Sequence, residues 1–293
     1  MYSQDIIPER ENQPTQLILE PFLYHATESP GYFSLLQRWE DGIHQDSYRL
    51  IEMPEVIPRV DKNHDTYLSQ NDFWKRNRRV VNLARINVSY LDLDTYNKPS
   101  LENLSPDGQS YLLLEYCRDN LLPAPSVIIF SGRGLQVKWL LDKSLPSAAL
   151  PRWNALQRHL AKKFEPFGAD PASLDASRVL RLERTVNTKS KQVVRVVYPT
   201  GLSRPVSYDF DTLANEILPY TREEIEAMRT ARAEIVRAKT ERAAKANVTR
   251  WKFTQESLHW GRVSDMITLA RLRGWEQGNP EGQRFPFMFL SAI

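Results

Sequence analysis

The sequence predicts a mixed α/β fold from three patterns. Residues 86–94, Ile-Asn-Val-Ser-Tyr-Leu-Asp-Leu-Asp, have the alternation of a strand that ends in acids. Residues 126–130 and 135–141 are two further apolar runs that flank Ser-Gly-Arg-Gly, which is typical of a hairpin with a glycine-rich tip. Residues 105–122 and 151–164 read as helices, the second with its large apolar side chains at helical spacing.

Length, charge and cysteine content narrow the class of protein. The 293 residues suffice for one large domain or a domain with an appendage. With Lys+Arg 39 against Asp+Glu 36, any affinity for nucleic acid must come from local clusters of charge. The single cysteine, Cys117, excludes an intrachain disulfide and fits a reducing compartment. With no signal peptide and no membrane-spanning run, we expect a soluble cytoplasmic protein without membrane contact.

The remaining elements follow from local patterns of apolar and polar residues. Ahead of the acidic strand, residues 17–24 read as a strand, residues 32–39 as a helix, and residues 48–53 and 65–68 as short strands. Downstream, residues 192–198 read as a strand and residues 211–218 as a short helix. Residues 221–246 read as a long helix rich in Ala, Arg and Glu, and the tail, residues 260–293, is predicted to be helical again.

The end of the acidic strand is the first candidate site. Because side chains alternate along a strand, Asp92 and Asp94 share one face, whereas Leu91 and Leu93 point into the core. Two adjacent carboxylates supply hard oxygen ligands for divalent cations that also bind substrate phosphates. A solvated pair at a strand end is the commoner explanation of an isolated Asp-x-Asp.

Two other segments are rich in charge. Phe73 and Trp74 precede four cations, Lys75, Arg76, Arg78 and Arg79, a mixture that suits contact with a phosphate backbone and stacking on bases. A solvated charge run with both aromatic rings in the core explains it equally well. Residues 167–189 alternate acids and cations with few large apolar residues, which favours a phosphate and metal site.

Three motifs occur in order: Leu-Asp-Leu-Asp at residues 91–94, Ser-Gly-Arg-Gly-Leu-Gln at 131–136, and Ala-Asp-Pro-Ala-Ser at 169–173 with the basic residues that follow. This order resembles the archaeo-eukaryotic primase superfamily, most closely its plasmid, phage and mobile-element branch with the RepB-type primases. The resemblance covers residues 65–200. It implies a mostly antiparallel sheet of the RNA-recognition-motif type, flanked by helices and followed by a helical C-terminal region.

The resemblance also implies roles for individual residues. Asp92, Asp94 and Asp170 match the metal-binding, catalytic acids, and Mg²⁺ or Mn²⁺ is the implied cofactor. The positions expected to bind the incoming nucleotide are Ser131, Arg133, Gln136, Lys138, Arg178, Arg181 and Lys189. Gln136 stands where a histidine is usual, so Arg133 and Lys138 are expected to supply positive charge. Residues 182–185, Leu-Glu-Arg-Thr, replace the usual Leu-Pro-Gly-Thr turn.

The implied function is a primase or primase-polymerase of a plasmid or other mobile element. It would make primers from NTPs or dNTPs on single-stranded DNA during replication initiation, with Lys75, Arg76, Arg78 and Arg79 on the DNA and a replicative helicase as a further partner. The expected division is a catalytic domain (1–218), a charged linker helix (219–250) and a small, truncated helical domain (251–293). The alternatives are a non-catalytic initiator that binds single-stranded or origin DNA, and a two-metal nuclease.

Overall fold

The structure is a computed structural model, and it describes residues 19–200, 204–245 and 254–274. The chain divides into two compact units, residues 1–225 and residues 226–293. The first unit contains the sheet and the buried core.

Most strands of the first unit form one large sheet. In chain order the strands are β1 (Tyr32–Trp39), β2 (Gly42–Arg49), β3 (Asp65–Ser69), β4 (Asp72–Phe73), β5 (Leu83–Leu93), β6 (Val127–Phe130), β7 (Leu135–Pro146), β8 (Val179–Arg181), β9 (Val186–Asn187), β10 (Gln192–Val193), β11 (Arg195–Tyr198) and β12 (Ser207–Tyr208). The main path runs β11-β6-β7-β5-β4-β1-β3-β8, with β2 beside β1 and β12 parallel to β7; β9 and β10 form a separate ribbon. All other pairings are antiparallel, which confirms the predicted mixed α/β fold with a mostly antiparallel sheet.

The described helices are α1 (Met53–Arg59), α2 (Pro106–Asp119), α3 (Leu150–Lys163), α4 (Phe210–Ile217), α5 (Arg222–Lys245) and α6 (Gln255–Leu272). Helix α2 begins where the sequence predicts, because the Ser105 hydroxyl accepts a hydrogen bond from the Gly108 N–H at 3.1 Å. In α4 the Asp209 carboxylate caps the Thr212 N–H at 2.9 Å in the same way. Side-chain capping therefore fixes two of the helix starts.

Strands β5 and β7 form the centre of the core. Their ladder aligns Leu91 with Val137 and Leu93 with Leu135, and all four side chains are fully buried. Helix α3 packs its predicted apolar stripe, Trp153, Leu156 and Leu160, into the same cluster. The acidic end of β5 is therefore anchored in the buried core.

The free edge of β5 is completed by side chains and by a loop. The Trp153 indole donates to the Val88 carbonyl at 3.2 Å, and the Gln157 amide bonds both backbone groups of Tyr90, at 3.2 and 2.9 Å. Beyond these, residues 168–170 run antiparallel to the strand end, with an isolated bridge between Leu93 and Ala169. Because buried backbone groups need partners, this edge draws the loop after α3 to the acidic strand.

Several predicted elements were wrong. Residues 32–39 form strand β1 and not a helix: their apolar positions fit both periods, but β1 pairs with β2 on one side and β3 on the other. Residues 20–23 form a 3₁₀ turn and not a strand, since Pro21 suits a first helical turn. The strand predicted at 48–53 ends with β2 at Arg49, and a turn leads into α1.

The strand predicted at 192–198 is split at Val194, whose N–H bonds the Thr185 carbonyl at 2.8 Å. The polar N-terminal stretch and the last part of the predicted helical tail lie outside the described residues.

In the second unit, α6 leaves apolar residues of its predicted stripe exposed, among them Val263, Ile267 and Leu272. None of the described helices is both long and apolar enough to span a bilayer. The division predicted at residues 218 and 250 stays a prediction.

Candidate active site

The first two acids lie where the strand pattern places them. Asp92 is the penultimate residue of β5 and Asp94 follows its last residue; both are half-buried and alternate with the fully buried Leu91 and Leu93. Asp92 stands directly opposite Gln136 of β7 in the ladder. The two carboxylates therefore face the loop that joins β6 to β7.

The third acid adjoins the first pair through the backbone. The Asp170 N–H donates to the Asp92 carbonyl at 3.0 Å, and the Asp94 N–H donates to the Gly168 carbonyl at 2.8 Å. Burial raises the pKa of Asp92 to about 7, and the negative charges of Asp94 and Asp170 add to this rise. The carboxylates of Asp94 and Asp170 therefore both lie near enough to Asp92 to act on it.

Two glycines permit this close approach. A Cβ on Gly134 would lie 2.2 Å from the Leu93 carbonyl oxygen, in the backbone of the acidic strand. Gly168 has φ of +80°, and a Cβ there would lie 2.8 Å from the Asp94 carbonyl oxygen. Both loops that flank the acids therefore need glycine at their contact with β5.

A cavity of about 210 Å³ opens beside Asp92 and Asp94. Of the residues predicted to bind metal or nucleotide, its lining includes Asp92, Asp94, Ser131, Arg133, Gln136, Arg181 and Lys189. A larger cavity of about 540 Å³ is lined mainly by apolar side chains, and its lining includes none of Asp92, Asp94 and Asp170. We place the candidate site in the smaller cavity because chemistry on phosphates requires its charged groups.

The cations of the cavity are positioned by aromatic rings and by a further acid. The Arg133 guanidinium lies 4.0 Å from the centre of the Tyr96 ring. Burial raises the pKa of Tyr96, and the neighbouring Asp94 carboxylate raises it further. Arg181 forms an ion pair with the buried Asp65 and lies over the Tyr67 ring, 4.8 Å from its centre.

Asp65 also ties down the segment that carries Lys189. Its carboxylate accepts hydrogen bonds from the N–H and hydroxyl of Thr188, at 3.0 and 2.6 Å. Burial opposes ionisation of Asp65, but the bonds from Thr188 and Arg181 outweigh it and hold its pKa below the usual value. No ion pair among the described residues involves the Lys189 ammonium, so its charge is available to a ligand.

Two predicted nucleotide-binding residues use their polar groups to hold loops together. The Ser131 hydroxyl donates to the Gly134 carbonyl at 3.0 Å and accepts from the Gly134 N–H at 3.2 Å. The Gln136 amide, turned to match its partners, accepts from the Arg181 N–H at 2.9 Å and donates to the Arg181 carbonyl at 3.3 Å. Gln136 thereby links β7 to β8 across the cavity.

Lys138 and Arg178 lie outside the cavity lining. The Lys138 ammonium is fully buried, 2.6 Å from the Glu20 carboxylate and beside Tyr24. Burial lowers the pKa of Lys138, although Glu20 opposes this shift. Arg178 pairs with Asp175 at 3.3 Å within its own loop. The structure therefore does not bring Lys138 to the predicted phosphate site, whereas Arg178, although outside the cavity lining, lies near enough for its charge to lower the pKa of Asp92.

The sequence reasoning missed Tyr67, Tyr96 and Asn187 as cavity residues. The Asn187 amide donates to the Ser131 carbonyl at 2.9 Å and so joins the second motif to the third. Its position inside Thr-Val-Asn-Thr-Lys was a usable signal, whereas nothing in the pattern around Tyr67 distinguishes it from a core residue.

The basic segment before β5 was explained either as a nucleic-acid contact or as a solvated charge run with both rings in the core, and the structure agrees fully with neither. Phe73 is fully buried, whereas Trp74 is 56% exposed. Lys75, Arg76 and Arg79 are exposed, but Arg78 is partly buried and donates to the Gln45 amide oxygen at 2.8 Å and the Ser177 carbonyl at 2.5 Å. One ring and one cation are thus structural, and the other ring and three cations face solvent.

The acids partly fit a divalent cation. Asp92 and Asp94 are the hard oxygen donors that Mg²⁺ and Mn²⁺ prefer, and Asp92 faces two further negative charges that a cation would offset. In the described residues, however, no group of three or more His, Cys, Asp or Glu side chains is arranged to hold a metal ion. The Asp170 carboxylate instead accepts the Ala172 N–H at 2.8 Å.

The chain is similar to a protein named as a replication protein. No family model matches the chain. A replication protein from Clostridium perfringens is 31% identical over 270 residues, which cover 90% of this chain and 58% of that relative. The chain therefore spans somewhat over half the length of that protein.

Solved structures with a similar arrangement are primases by name. The AEP domain of the cyanophage S-2L primase-polymerase has a TM-score of 0.46 at 17% identity, covering 64% of this chain and 90% of that one. Primase RepB′ has a TM-score of 0.43 at 12% identity, covering 86% and 73%. The catalytic domain of RepB′ in complex with initiator DNA has the same TM-score and identity, covering 72% and 95%.

Proposed function

We propose that the chain is a primase or primase-polymerase that makes primers on single-stranded DNA for the replication of a plasmid or other mobile element. The observation that carries the proposal is that Asp92 and Asp94 line a cavity together with Arg133, Arg181 and Lys189, with the Asp170 backbone bonded to Asp92. The replication protein that the chain resembles supports the same biological process.

In the proposed reaction, a 3′ hydroxyl attacks the α-phosphorus of a bound nucleotide. A new P–O bond forms, the proton of the hydroxyl passes to water, the bond between the α-phosphorus and the bridging oxygen breaks, and pyrophosphate leaves. Asp92 and Asp94 would hold Mg²⁺ or Mn²⁺, which supplies Lewis-acid stabilisation of the attacking and leaving oxygens. Asp170 would join them once its carboxylate leaves the Ala172 N–H.

The chain's own cations would bind the triphosphate. Arg133 is exposed and fixed against Tyr96, and Lys189 lies on a segment anchored to Asp65, so both charges are positioned before a nucleotide arrives. Such pre-organisation lowers the cost of aligning the nucleotide for in-line attack. Arg181, which pairs with Asp65, would contribute a smaller share of the charge.

A non-catalytic initiator that only binds DNA is the second candidate. Two observations favour it: the Gln136 amide is engaged by the Arg181 backbone, and the Asp170 carboxylate is engaged by its own turn. The structure of RepB′ with initiator DNA concerns that protein, and we extend DNA binding to this chain only as a proposal.

Incubation with single-stranded DNA, labelled nucleotides and Mn²⁺ separates the candidates. A primase yields labelled products longer than one nucleotide that depend on the template. An initiator binds the DNA and yields none, and a two-metal nuclease shortens the template without needing nucleotides. Binding without synthesis, by a protein that is folded, would overturn the proposal.

A further inference from the structure

The segment 74–82, which we call the closed loop, is fixed at its base. The Trp74 N–H donates to the Asn82 carbonyl at 2.8 Å, and the Asn82 N–H donates to the Arg79 carbonyl at 2.8 Å. The Asn82 side-chain amide also donates to the Asn77 carbonyl at 3.2 Å. A loop ordered in this way presents its side chains without a large entropic cost on binding.

Trp74 is the unusual residue of the closed loop. Its side chain is 56% exposed although the preceding Phe73 is fully buried, and Val81 on the same loop is 84% exposed. A large ring in solvent gains by covering its faces, and an unstacked base is a flat partner of matching size.

The charges around Trp74 match such a partner. Lys75, Arg76 and Arg79 are exposed, and among the described residues none of them forms an ion pair. Together they place three positive charges within six residues of a solvent-exposed ring, and Arg76 also lies over the Tyr32 ring, 5.9 Å from its centre. Aromatic faces combined with free cations are the groups with which proteins hold single-stranded nucleic acid.

The closed loop is connected to the segment that carries the third acid. Arg78 donates to the Ser177 carbonyl at 2.5 Å, and the Asn71 amide donates to the Ala176 carbonyl at 2.9 Å. The Gln70 N–H donates to the Arg178 carbonyl at 3.2 Å. A DNA strand bound to the closed loop would therefore lie on a surface that is hydrogen-bonded to the segment carrying Asp170.

We propose that the closed loop binds the single-stranded template, with Trp74 stacking on a base and Lys75, Arg76 and Arg79 contacting successive phosphates. Arg78 has a structural role instead, because its hydrogen bond to the Ser177 carbonyl joins the closed loop to the segment that carries Asp170. This inference rests on the proposed function, because it assigns the template side of the same site. A duplex offers the loop phosphates but no free base faces, so single strands are the favoured partner.

The test is binding of a fluorescent oligothymidine to the full chain, measured by anisotropy without nucleotide or metal. We expect Trp74→Ala to weaken binding about tenfold and Trp74→Phe to restore most of it, since a phenyl ring still stacks. Trp39→Ala is the matched control, because Trp39 is also exposed, at 38%, but lies beside Glu40 and Asp41. That control should bind as the wild type does.

The cations are tested by the salt dependence of the same binding. Replacing Lys75, Arg76 and Arg79 by glutamine should reduce the slope of log K against log salt by about 2, since each phosphate contact on a single strand contributes about 0.7. Lys162→Gln with Lys163→Gln removes two exposed cations from the end of α3 and should leave the slope unchanged.

Unchanged binding by Trp74→Ala, or an equal loss on a blunt duplex, would overturn the stacking role. Primer synthesis by the wild type is measured separately. If the wild type makes primers but Trp74→Ala binds normally, the template surface is refuted and the proposed function stands. If Trp74→Ala binds weakly but the wild type makes no primers, the template surface stands and the proposed function is refuted.

Discussion

The acid edge, which we define as Asp92, Asp94 and Asp170 with the cations of the neighbouring cavity, differs from the closed loop in how its charged side chains are held. At the acid edge, Arg133 lies over a tyrosine ring, Arg181 pairs with Asp65, and the Asp170 carboxylate accepts a backbone N–H. On the closed loop, Lys75, Arg76 and Arg79 are exposed and form no ion pair in the described part of the chain, and Arg76 lies only loosely over a ring, 5.9 Å from the centre of Tyr32. Side chains at the acid edge are therefore held in fixed orientations, whereas those of the closed loop are exposed cations.

This difference indicates a division of work. Nucleotidyl transfer depends on reacting groups held in position, so a region where side chains are restrained suits chemistry. Grip on a flexible polyanion depends on the number of charges and on stacking, so an exposed region suits the template. Changes at the acid edge should therefore alter synthesis and spare DNA binding, and changes on the closed loop should weaken binding first.

The largest effect is expected from Asp92→Asn. The amide cannot supply the anionic ligand, so primer synthesis should fall on the order of 10³-fold or more, since metal assistance is worth several kcal/mol. Binding to single-stranded DNA should stay within about twofold, because phosphate grip comes from cations. Gel analysis of labelled products and anisotropy on the same preparation measure both quantities.

Asp142→Asn is the matched control for that variant, because Asp142 is an exposed acid of β7 outside the cavity. It should synthesise primers at the wild-type rate. Full primer synthesis by Asp92→Asn would show that Asp92 is not part of the site, and would contradict the assignment of synthesis to the acid edge.

Gly134→Ala should give the next largest effect. The added Cβ would meet the Leu93 carbonyl oxygen at 2.2 Å, so the loop or the strand end must move, at a cost of about 3 kcal/mol in the free energy of unfolding. Chemical denaturation measures this change. In Gly261→Ala no atom lies within 4 Å of the new Cβ, and that control should be neutral or slightly stabilising.

Arg133→Ala should act on the nucleotide alone. Removing an exposed cation that is oriented by Tyr96 should raise KM for the nucleotide about tenfold, the value of one charge-assisted hydrogen bond, with little change in DNA affinity. Steady-state kinetics with varied nucleotide check this. A matched loss of DNA affinity would show that the two regions are not separate.

The smallest effect concerns pH and Asp65. The folded-state pKa of Asp65 is below its usual value, so its stabilisation is fully present above the unfolded pKa of about 3.9 and is lost as pH falls through the folded pKa. Asp65→Asn should therefore cost about 1.5 kcal/mol at neutral pH, and the difference from wild type should shrink below about pH 4. Urea unfolding across this range measures it, and a difference that grows in acid would contradict the assignment.

Local patterns predicted much of the fold. The strands predicted at residues 86–94 and 135–141 correspond to β5 and β7, which begin or end a few residues away. Helices α2 and α3 follow from Ser105 with Pro106 and from the Trp153 to Leu160 spacing. Residues 32–39 were misassigned because Phe33, Leu35 and Leu36 satisfy either period. Only pairing with β2 and β3, contacts distant in sequence, makes them a strand.

For the candidate site, the order of the motifs indicated which acids and cations to consider, but not how they lie relative to one another. The neighbourhood of Asp170 and Asp92 depends on backbone bonds across 78 positions, which periodicity does not reveal. Lys138 shares a face with Gln136, but two positions further along β7 that face is covered by Glu20 and Tyr24. Burial by a distant segment is a tertiary property, so the sequence could not separate these two residues.

The most direct test of the central claim is a crystal structure of the chain with Mn²⁺ and a non-hydrolysable nucleotide. The account predicts anomalous density at the carboxylates of Asp92 and Asp94, the Asp170 side chain turned from the Ala172 N–H towards it, and the triphosphate against Arg133 and Lys189. A nucleotide bound elsewhere, with Asp170 still capping its own turn and no metal at the pair, would contradict it.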